Sequence, residues 1–276
     1  MSNSSYYEAS ISNVFYRAAV PLFFTWLLIS LTFVVPLLDS THPPYPGLNN
    51  FFSEIAYWLA LSGGKYGAPV IGIVMLFFFI TRKESNNKNT WQEVTVIVLL
   101  SSILAGGGAA INEHIIKTEL KISRPNIIWL AGDNGFGPLG MQAEQFYELG
   151  NKEARRKPLM EVLKQQSMPI VLSSSVESHW VEETGYSFPS GHAFSAMFFA
   201  SFLLGIAITY ITTKRIWIFY ALLPWALAVC YSRTILRVHT PLDVTVGGFQ
   251  GMVVGLVAWF IARVLLRKFG YKELQN

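Results

Sequence analysis

The stretch Ser232-Arg-Thr-Ile-Leu-Arg-Val-His-Thr-Pro-Leu-Asp243 lies between two apolar runs near the C-terminal end of the chain. The run before it covers residues 216–231, and the run after it covers residues 244–262. An arginine, a histidine and an aspartate therefore stand where one hydrophobic segment ends and the next begins. Two membrane-spanning helices joined by a short polar connection would produce this order.

The residues at the end of this stretch predict the start of a helix. Thr240 suits the N-cap, Pro241 fits the first helical position, and Asp243 falls at the third. This order is a capping box with Asp in place of Glu. It places the His239 imidazole beside the positive end of a helix and close to a carboxylate. By itself, the pattern is equally compatible with a helix cap among interfacial polar residues.

The composition indicates an integral membrane protein. The 276 residues are 52% hydrophobic and only 14% charged, whereas an ordinary soluble domain has about 25% charged residues. The uncharged residues are collected in long runs, as in membrane spans. The net charge of +4 is small and scattered, so nucleic acid is not expected as a partner. The single cysteine, Cys230, excludes an internal disulfide, and no Cys/His spacing is typical of a zinc site.

Six segments approach the roughly 20 apolar residues that cross a bilayer core. We predict an all-α polytopic membrane protein with spans at about residues 18–38, 66–80, 91–111, 193–211, 216–231 and 244–266. The second span follows an interfacial turn of helix, because Gly63-Gly64-Lys65 interrupts the apolar region. The fifth span is long enough only if it is nearly upright.

The loop charges predict the orientation of the chain. Basic residues lie after the second, fourth and sixth spans: Arg82, Lys83, Lys88, Lys214, Arg215, Arg267, Lys268 and Lys272. The positive-inside rule therefore predicts that both termini are cytoplasmic. Residues 1–16 are polar and lack a basic segment followed by an apolar core, so a cleaved signal peptide is not expected. The polar ends of spans three to six then share the outer face of the membrane.

Residues 126–186 form a hydrophilic insert between the third and fourth spans. Its patterning is helical, as in residues 143–149 and 155–165, and it is too long for a plain connector. We predict a small helical cap on the periplasmic side of a single membrane-embedded domain that covers residues 1–276. The charges of the insert do not bear on the orientation, because long loops are translocated regardless of charge.

Three clusters of polar residues fall on the predicted outer face. The first has the pattern Lys-x6-Arg-Pro, from Lys117 to Pro125, and the second is a Pro-Ser-Gly-His motif that ends at His192. The third is the Ser-Arg-x5-His-x3-Asp pattern of the opening stretch. Each cluster is a weak or moderate signal by itself, since interfacial anchors and helix starts use the same residue types. Their occurrence in this order on one face favours a common site.

The residue types of these clusters indicate a phosphate site. Lys117, Arg124 and Arg233 supply fixed positive charge, and the planar fork of arginine fits phosphate oxygens. Ser190 and Gly191 are expected at a helix N-terminus, where free N–H groups and the helix dipole favour an anion. Glycine at this position allows the backbone to approach the ligand closely.

Two histidines would divide the chemistry. His239, oriented through one ring nitrogen by Asp243, would present the other nitrogen as a nucleophile toward phosphorus. His192 would protonate the departing oxygen and then take a proton from the water that cleaves the phosphohistidine. No carboxylate cluster suggests bound magnesium or calcium, so neither a metal nor another cofactor is expected. The basic residues would stabilise the transferring phosphoryl group instead.

The three motifs, in this order and topology, resemble those of the type 2 phosphatidic acid phosphatases, a superfamily of lipid phosphatases. Further stretches between residues 124 and 192 are similar to a bacterial branch of that superfamily, whereas the first two spans agree only in hydrophobicity. The resemblance implies that His239 is the nucleophile, Asp243 its partner and His192 the acid and base. It also implies a phosphate pocket formed by Lys117, Arg124, Ser190, Gly191 and Arg233.

The same resemblance implies a metal-independent enzyme at the outer face of the bacterial inner membrane. Its expected partners are the bilayer and a lipid substrate such as phosphatidylglycerol phosphate, undecaprenyl diphosphate or phosphatidic acid, which the sequence does not rank. Glu183 corresponds to a position near the substrate entrance, where it would contact head groups or steer the cap. The alternative for Glu183 is a solvated charge on a polar insert. Arg237 is predicted to be an anchor at the lipid interface.

Three other functions are weighed against a lipid phosphatase. A secondary transporter is expected to have ionisable groups near the bilayer midplane, whereas these groups lie at span ends. A catalytically silent receptor would not need both histidines and Asp243. A vanadate-dependent haloperoxidase would share the motif types, because vanadate resembles the transition state of phosphate transfer, but six spans argue against it.

Overall fold

The computed structural model describes residues 11–34, 47–82, 87–165, 170–211 and 215–268. These residues form helices without a β-strand among them, so the all-α prediction is confirmed for this part of the chain. The α-helices are α1 (Ile11–Ser30), α2 (Phe51–Gly63), α3 (Gly67–Ile80), α4 (Asn87–Leu100), α5 (Gly107–Ile111), α6 (Lys117–Leu120), α7 (Pro125–Ala131), α8 (Ala143–Glu148), α9 (Lys152–Leu163), α10 (Ser174–Glu182), α11 (Gly191–Tyr210), α12 (Ile216–Tyr220), α13 (Leu222–Ile235) and α14 (Pro241–Lys268).

The apolar segments of the sequence correspond to helices of membrane-spanning length. Five segments of the described chain are long and apolar enough to cross a membrane: Phe15–Phe33, Thr90–Ala131, Gly191–Tyr210, Ile216–Ile235 and Pro241–Lys268. The pair α2 and α3 gives a sixth span if it is counted as one broken helix. The described residues thus contain five or six candidate spans where the sequence predicts six. Residues 35–38 of the first predicted span, and the basic residues Lys83, Lys214 and Lys272, lie outside the described residues.

A bend of 68° separates α2 from α3, at the glycine-rich interruption that the sequence shows. Helix α2 begins with a capping box, in which the Ser53 backbone N–H donates to the Asn50 side chain at 3.0 Å and the Asn50 N–H donates to Ser53 Oγ at 3.1 Å. At the start of α3, a Cβ on Gly67 would lie 2.1 Å from the Leu61 carbonyl oxygen. Only glycine fits this bend without a shift of the backbone.

Helix α11 lies at the centre of the bundle, apolar around its circumference and buried along nearly its whole length. Its longest contact is with α14, which presents Gly247, Gly251 and Gly255 at every fourth position. A Cβ on Gly247 would lie 2.5 Å from the Ser190 carbonyl oxygen, and one on Gly251 would lie 2.1 Å from that of Phe194. We call these three residues the glycine stripe. It allows the two backbones to pack in direct contact.

The helix that leads to Lys117 is continuous from residue 87 to residue 120 but not regular. Two π-helical turns, Ser101–Gly106 and Asn112–Ile116, interrupt its α-helical parts. The side chains of Asn112 and Gln250 form two reciprocal hydrogen bonds of 3.0 and 2.9 Å, which attach the second π-turn to α14. π-Turns are rare and occur often at functional sites. Lys117 directly follows this one.

The insert of residues 126–186 packs against the rest of the chain. Its helices share an apolar core with α2 and with the connection between α13 and α14, and the buried side chains include Phe146, Leu159, Trp180 and Leu236. The Trp180 indole N–H donates to the Leu236 carbonyl oxygen at 2.8 Å. The insert therefore contacts the connection that carries His239.

Candidate active site

The first turn of α14 has the cap that the sequence predicts. The Asp243 backbone N–H donates to Thr240 Oγ1 at 3.2 Å, and the Thr240 N–H donates to Asp243 Oδ2 at 2.7 Å. The two bonds satisfy backbone donors that a helix start leaves free. They also hold the Asp243 carboxylate beside the connection that contains His239.

His239 is buried, and its two ring nitrogens have different partners. Nδ1 lies 3.3 Å from Asp243 Oδ2, and Nε2 lies 3.2 Å from Nη1 of Arg124. A guanidinium has no acceptor, so Arg124 donates and Nε2 carries no proton. Burial, and then the charge of Arg124, lower the pKa of His239 from 6.5 to about 3. The imidazole is therefore neutral near pH 7, with its proton on Nδ1 and its lone pair on Nε2.

Ser187 completes the hydrogen bonding around Asp243. Its hydroxyl donates to Asp243 Oδ2 and lies 3.4 Å from Nδ1 of His239. Its own backbone N–H donates to the Ile122 carbonyl oxygen at 2.8 Å, which fixes the loop that precedes α11. The carboxylate thus accepts bonds from a side chain, a ring nitrogen and the backbone. Such multiple donation favours its ionised form.

Arg124 is held from several directions. It is the N-cap of α7, and its backbone N–H donates to the Tyr147 hydroxyl at 3.0 Å. Its Nε donates to the Gly185 carbonyl oxygen at 2.7 Å, and its Nη1 donates to that of Val238 at 2.9 Å. These contacts orient the guanidinium so that Nη1 also reaches His239. Its position is therefore determined by the insert and by the α13–α14 connection together.

Arg233 lies in the last turn of α13 and is completely buried. Its Nη1 donates to Nε2 of His179 at 2.8 Å, and its Nη2 donates to Oε1 of Glu183 at 2.7 Å. Both acceptors come from the region of α10 in the insert. A second guanidinium is thus placed close to the first, with an anionic group between them.

That anionic group is Glu183. Its Oε2 forms an ion pair of 2.7 Å with Nη2 of Arg124, while its Oε1 pairs with Arg233. Burial opposes ionisation of the carboxyl, but the two arginines outweigh it and hold the pKa of Glu183 well below its usual 4.5. The alternative of a solvated charge is wrong, because the carboxylate lies among the residues of the candidate site.

The Pro-Ser-Gly-His motif is placed at the N-terminus of α11, as predicted. The Ser190 side chain accepts from the Ala193 N–H at 3.4 Å, and its backbone N–H donates to the Asp243 carbonyl oxygen at 3.0 Å. A Cβ on Gly191 would have nothing within 4 Å. The first turn of α11 is thus joined to the first turn of α14, with free space beside Gly191.

His192 is the more accessible of the two predicted catalytic histidines, with its side chain 20% exposed. Its Nε2 lies 3.9 Å from Oε1 of Glu183, which is too long for a hydrogen bond but brings it next to the two arginines. A Cβ on Gly64, at the bend between α2 and α3, would lie 3.0 Å from the same nitrogen. The bend therefore borders the site.

Lys117 is buried beside this group but has a partner of its own. Its ammonium forms a 2.9 Å ion pair with Glu113, one helical turn earlier, and Glu113 also pairs with Lys152 at the start of α9. The charges of Arg124 and Glu183 act on Lys117 across the site. The structure thus brings all nine predicted residues to one region, with Lys117 at its edge.

The sequence does not reveal the roles of several residues, and the prediction for one residue is wrong. His179, Ser187 and Tyr147 hold Arg233, Asp243 and Arg124, respectively, and each lies at least 23 positions from the residue it holds. No periodicity links such distant positions, so only their unusual polarity beside the motifs could have indicated them. The prediction of a lipid-interface anchor at Arg237 is wrong, because this residue is buried, 7% exposed, at a left-handed turn of the backbone.

The arrangement is suited to binding an anion and to attacking an electrophilic atom within it. The lone pair of His239 Nε2 lies beside one buried guanidinium, and a second guanidinium is joined to the first through Glu183. One arginine guanidinium can donate two parallel hydrogen bonds to the oxygens of a phosphate. Within the described ranges, no three His, Cys, Asp or Glu side chains are grouped as ligands for a metal ion.

Comparison with known proteins agrees with this geometry. The chain is 31% identical over 151 residues to "Phosphatidylglycerophosphatase B" of Escherichia coli strain K12, and equally to the proteins of that name from E. coli O157:H7 and Shigella flexneri. The aligned part is 54% of this chain and 54% of each relative, so the match spans about half the length of these relatives. Together with the apolar helices, it indicates a multi-pass membrane protein. The model of the PAP2 superfamily matches residues 94–266, which include every residue of the candidate site, and the chain therefore belongs to the PAP2 superfamily.

Proposed function

We propose that this protein is a lipid phosphatase that removes phosphate from membrane lipids through a phosphohistidine on His239. In the first step, the Arg124 N–H that donates to Nε2 of His239 turns to a phosphate oxygen, and the freed lone pair of Nε2 forms a bond to phosphorus as the bond from phosphorus to the lipid oxygen breaks. His192, in its protonated form, donates a proton to the departing oxygen. In the second step, water attacks phosphorus, gives a proton to His192, and releases inorganic phosphate and the free imidazole.

One observation carries this proposal: the unprotonated nitrogen of His239 lies 3.2 Å from the Arg124 guanidinium. A buried neutral imidazole is a nucleophile at neutral pH, and the adjacent cation attracts the group to be attacked. Asp243 stabilises the proton on Nδ1 and thus the charge that develops on the ring during attack. General acid–base catalysis by a positioned group such as His192 typically adds about 10²–10⁴-fold.

The substrate-binding residues would act on the phosphoryl oxygens. Arg124 and Arg233 would donate to the phosphate the hydrogen bonds that the Glu183 carboxylate now accepts. A bound phosphate would therefore displace this carboxylate. Lys117 would add charge from the edge of the site, and Ser190 and Gly191 would contribute the N-terminus of α11. Fixed donors of this kind stabilise the charge of the transition state without a metal ion.

The membrane location of the site supports a lipid substrate. Asp243, His192 and Arg233 lie in the first or last turn of helices that are long enough to cross a membrane. A head group can reach the site there while an acyl or prenyl tail lies along the apolar helices. We propose phosphatidylglycerol phosphate, undecaprenyl diphosphate and phosphatidic acid as candidate substrates, at the periplasmic face of a bacterial inner membrane with both termini cytoplasmic.

A transporter is the weaker alternative, because of where the ionisable groups lie along the helices. Ion relays in transporters use ionisable groups near the bilayer midplane. Here the grouped charges lie at helix ends, around a histidine whose lone pair points at a buried cation. This placement fits chemistry on a head group better than conduction across the bilayer.

The experiment is a phosphate-release assay with the purified full-length protein in detergent or vesicles. The panel includes the three candidate lipids, each with and without EDTA. His239→Ala is expected to abolish turnover, while His114→Ala, at an exposed histidine of the π-turn before Lys117, keeps it. After an alkaline quench, which preserves the acid-labile phosphohistidine bond, lipid labelled in its phosphate is expected to leave labelled phosphate on the wild-type protein but not on His239→Ala.

Three outcomes would overturn parts of this proposal. An absence of phosphate release from every lipid contradicts the phosphatase. Loss of activity in EDTA contradicts metal independence. Full activity of His239→Ala contradicts the phosphohistidine and leaves the hydrolase without its proposed nucleophile.

A further inference from the structure

His179 is a buried histidine that the proposed mechanism does not use. It lies on α10 of the insert, is 4% exposed, and accepts a hydrogen bond of 2.8 Å from Nη1 of Arg233. The Tyr57 ring of α2 packs edge-on against it, with ring centroids 5.9 Å apart. The imidazole is therefore fixed between a membrane-proximal helix and a cation of the site.

The hydrogen bond determines the state of the ring. Arg233 can only donate, so Nε2 of His179 is unprotonated and the proton is on Nδ1. Burial, and then the charge of Arg233, lower the pKa of His179 to about 3, which agrees with a neutral ring. A neutral imidazole can hold a guanidinium in place without cancelling its charge, whereas a carboxylate cancels it.

Arg233 has two side-chain acceptors in the described part of the chain, and they are not equivalent. Glu183 accepts from Nη2 but also bridges to Arg124, so it occupies the place that a phosphate needs. The Nε of Arg233 is buried and has no hydrogen-bond partner among the described residues. When a phosphate displaces Glu183, His179 is the acceptor that remains on this guanidinium.

We propose that His179 is a positioning residue, which keeps the Arg233 guanidinium aimed at the phosphate after Glu183 has moved away. This inference rests on the proposed function, because it assumes that the two arginines bind a phosphoryl group. It also assigns a role to the insert: α10 supplies part of the anion site in addition to covering it. A hydrogen bond to a charged group is worth about a tenfold change in affinity or more.

The test measures the affinity of the full-length protein for inorganic orthovanadate by calorimetry, together with KM and kcat for the best lipid. His179→Phe keeps the ring and its contact with Tyr57 but removes the acceptor, and we expect vanadate binding to weaken on the order of tenfold. His179→Gln keeps an acceptor and is expected to recover most of that loss. His114→Phe is the matched control, at an exposed position, and is expected to bind vanadate as the wild type does.

A double-mutant cycle separates positioning from a structural role. Arg233→Lys keeps a positive charge but removes the guanidinium Nη1 that donates to His179, so His179→Phe is expected to cost less than about twofold in that background. The same tenfold loss in both backgrounds would overturn the proposal, as would unchanged binding by His179→Phe in the wild-type background.

The proposed function and this inference fail in different ways. If the wild type binds vanadate but releases no phosphate from any lipid, the phosphatase proposal fails while the cycle still tests His179. If the wild type releases phosphate and His179→Phe binds vanadate as well as it does, only the positioning role fails. If the wild type does not bind vanadate, the positioning role falls with the anion site.

Discussion

Nε2 of His239 and Nη1 of Arg124 are 3.2 Å apart, and the donor–acceptor chemistry of the pair leaves the lone pair on His239. This contact joins the proposed nucleophile to a cation that comes from the other end of the matched region. Arg124→Lys keeps the charge but loses the planar fork, whose N–H groups contact His239 and would bind a phosphate. We expect kcat to fall about 10²–10³-fold, as when one donor to a developing oxyanion is removed.

The check is steady-state phosphate release by Arg124→Lys beside Arg156→Lys. Arg156 forms an exposed pair with Glu153 on α9, and such pairs contribute little. The control is expected to keep wild-type kcat. Equal activity of the two variants would contradict the role of Arg124.

Asp243 is expected to set the tautomer of His239. In Asp243→Asn, the amide can donate where the carboxylate accepted, which moves the ring proton to Nε2 and removes the lone pair. We expect kcat to fall on the order of 10³–10⁴-fold, the scale known for loss of an aspartate behind a catalytic histidine. Quenched phosphoenzyme is expected to be absent, and its normal accumulation would refute the tautomer argument. Ser187→Ala, which removes one donor from the same carboxylate, is expected to lose only about tenfold.

Glu183 is expected to stabilise the folded protein and to compete with an anion for the two arginines. Glu183→Gln leaves two buried guanidinium groups without their anionic partner, a change that costs up to about 3–5 kcal/mol when a buried pair is broken. Its thermal midpoint is expected to fall, and orthovanadate is expected to raise that midpoint more than in the wild type, since no carboxylate competes with it. Glu182→Gln, at the exposed neighbouring position, is the matched control. A smaller effect of vanadate on Glu183→Gln than on the wild type would contradict this role.

The pH dependence of stability tests the contribution of the Glu183 carboxyl. Its pKa is well below 4.5 in the folded protein, so its contribution is fully present above pH 4.5 and is lost as the pH falls through the folded value. The difference in unfolding free energy between the wild type and Glu183→Gln is therefore expected to be constant from pH 5 to 8. It is expected to shrink below pH 4.5. Thermal denaturation in detergent across this range checks the sign, and a difference that grows toward low pH would be inconsistent with it.

Substitutions in the glycine stripe test helix packing without changing a residue of the candidate site. Gly251→Ala places a Cβ 2.1 Å from the Phe194 carbonyl oxygen, so α11 and α14 must separate, at a cost of about 1–3 kcal/mol or more. Gly107→Ala is the matched control, because nothing lies within 4 Å of a Cβ there, and alanine is expected to gain up to about 1 kcal/mol. Thermal midpoints of the two variants are expected to move in opposite directions. A Gly251→Ala protein as stable as the wild type would contradict direct backbone packing.

The local features of this fold could be predicted from the sequence. The cap at Thr240 and Asp243 depends on residues three apart, and the bend after Gly63 depends on adjacent glycines, so a short window contains the whole cause. The candidate spans follow from runs of apolar residues. The motifs indicated one site because each lies at a helix end.

The contacts between distant residues could not be predicted. Glu183 lies 59 positions from Arg124 and 50 from Arg233 along the chain, yet it pairs with both. Its position depends on how the insert folds back on α13, which no periodicity encodes. The prediction for Arg237 is wrong for a related reason: a basic residue at a span end resembles an anchor, whereas here the chain turns it into the protein.

The contact along the glycine stripe has a consequence for the two proposed catalytic histidines. Helix α11 begins next to His192, and α14 begins next to His239; their backbones meet at Gly247 and Ser190, within the first two turns of both. Two helices in direct backbone contact have little freedom to slide, so they move as one body. A change in bilayer thickness or lateral pressure would then shift the peripheral helices first and leave the spacing of the two imidazoles unaltered.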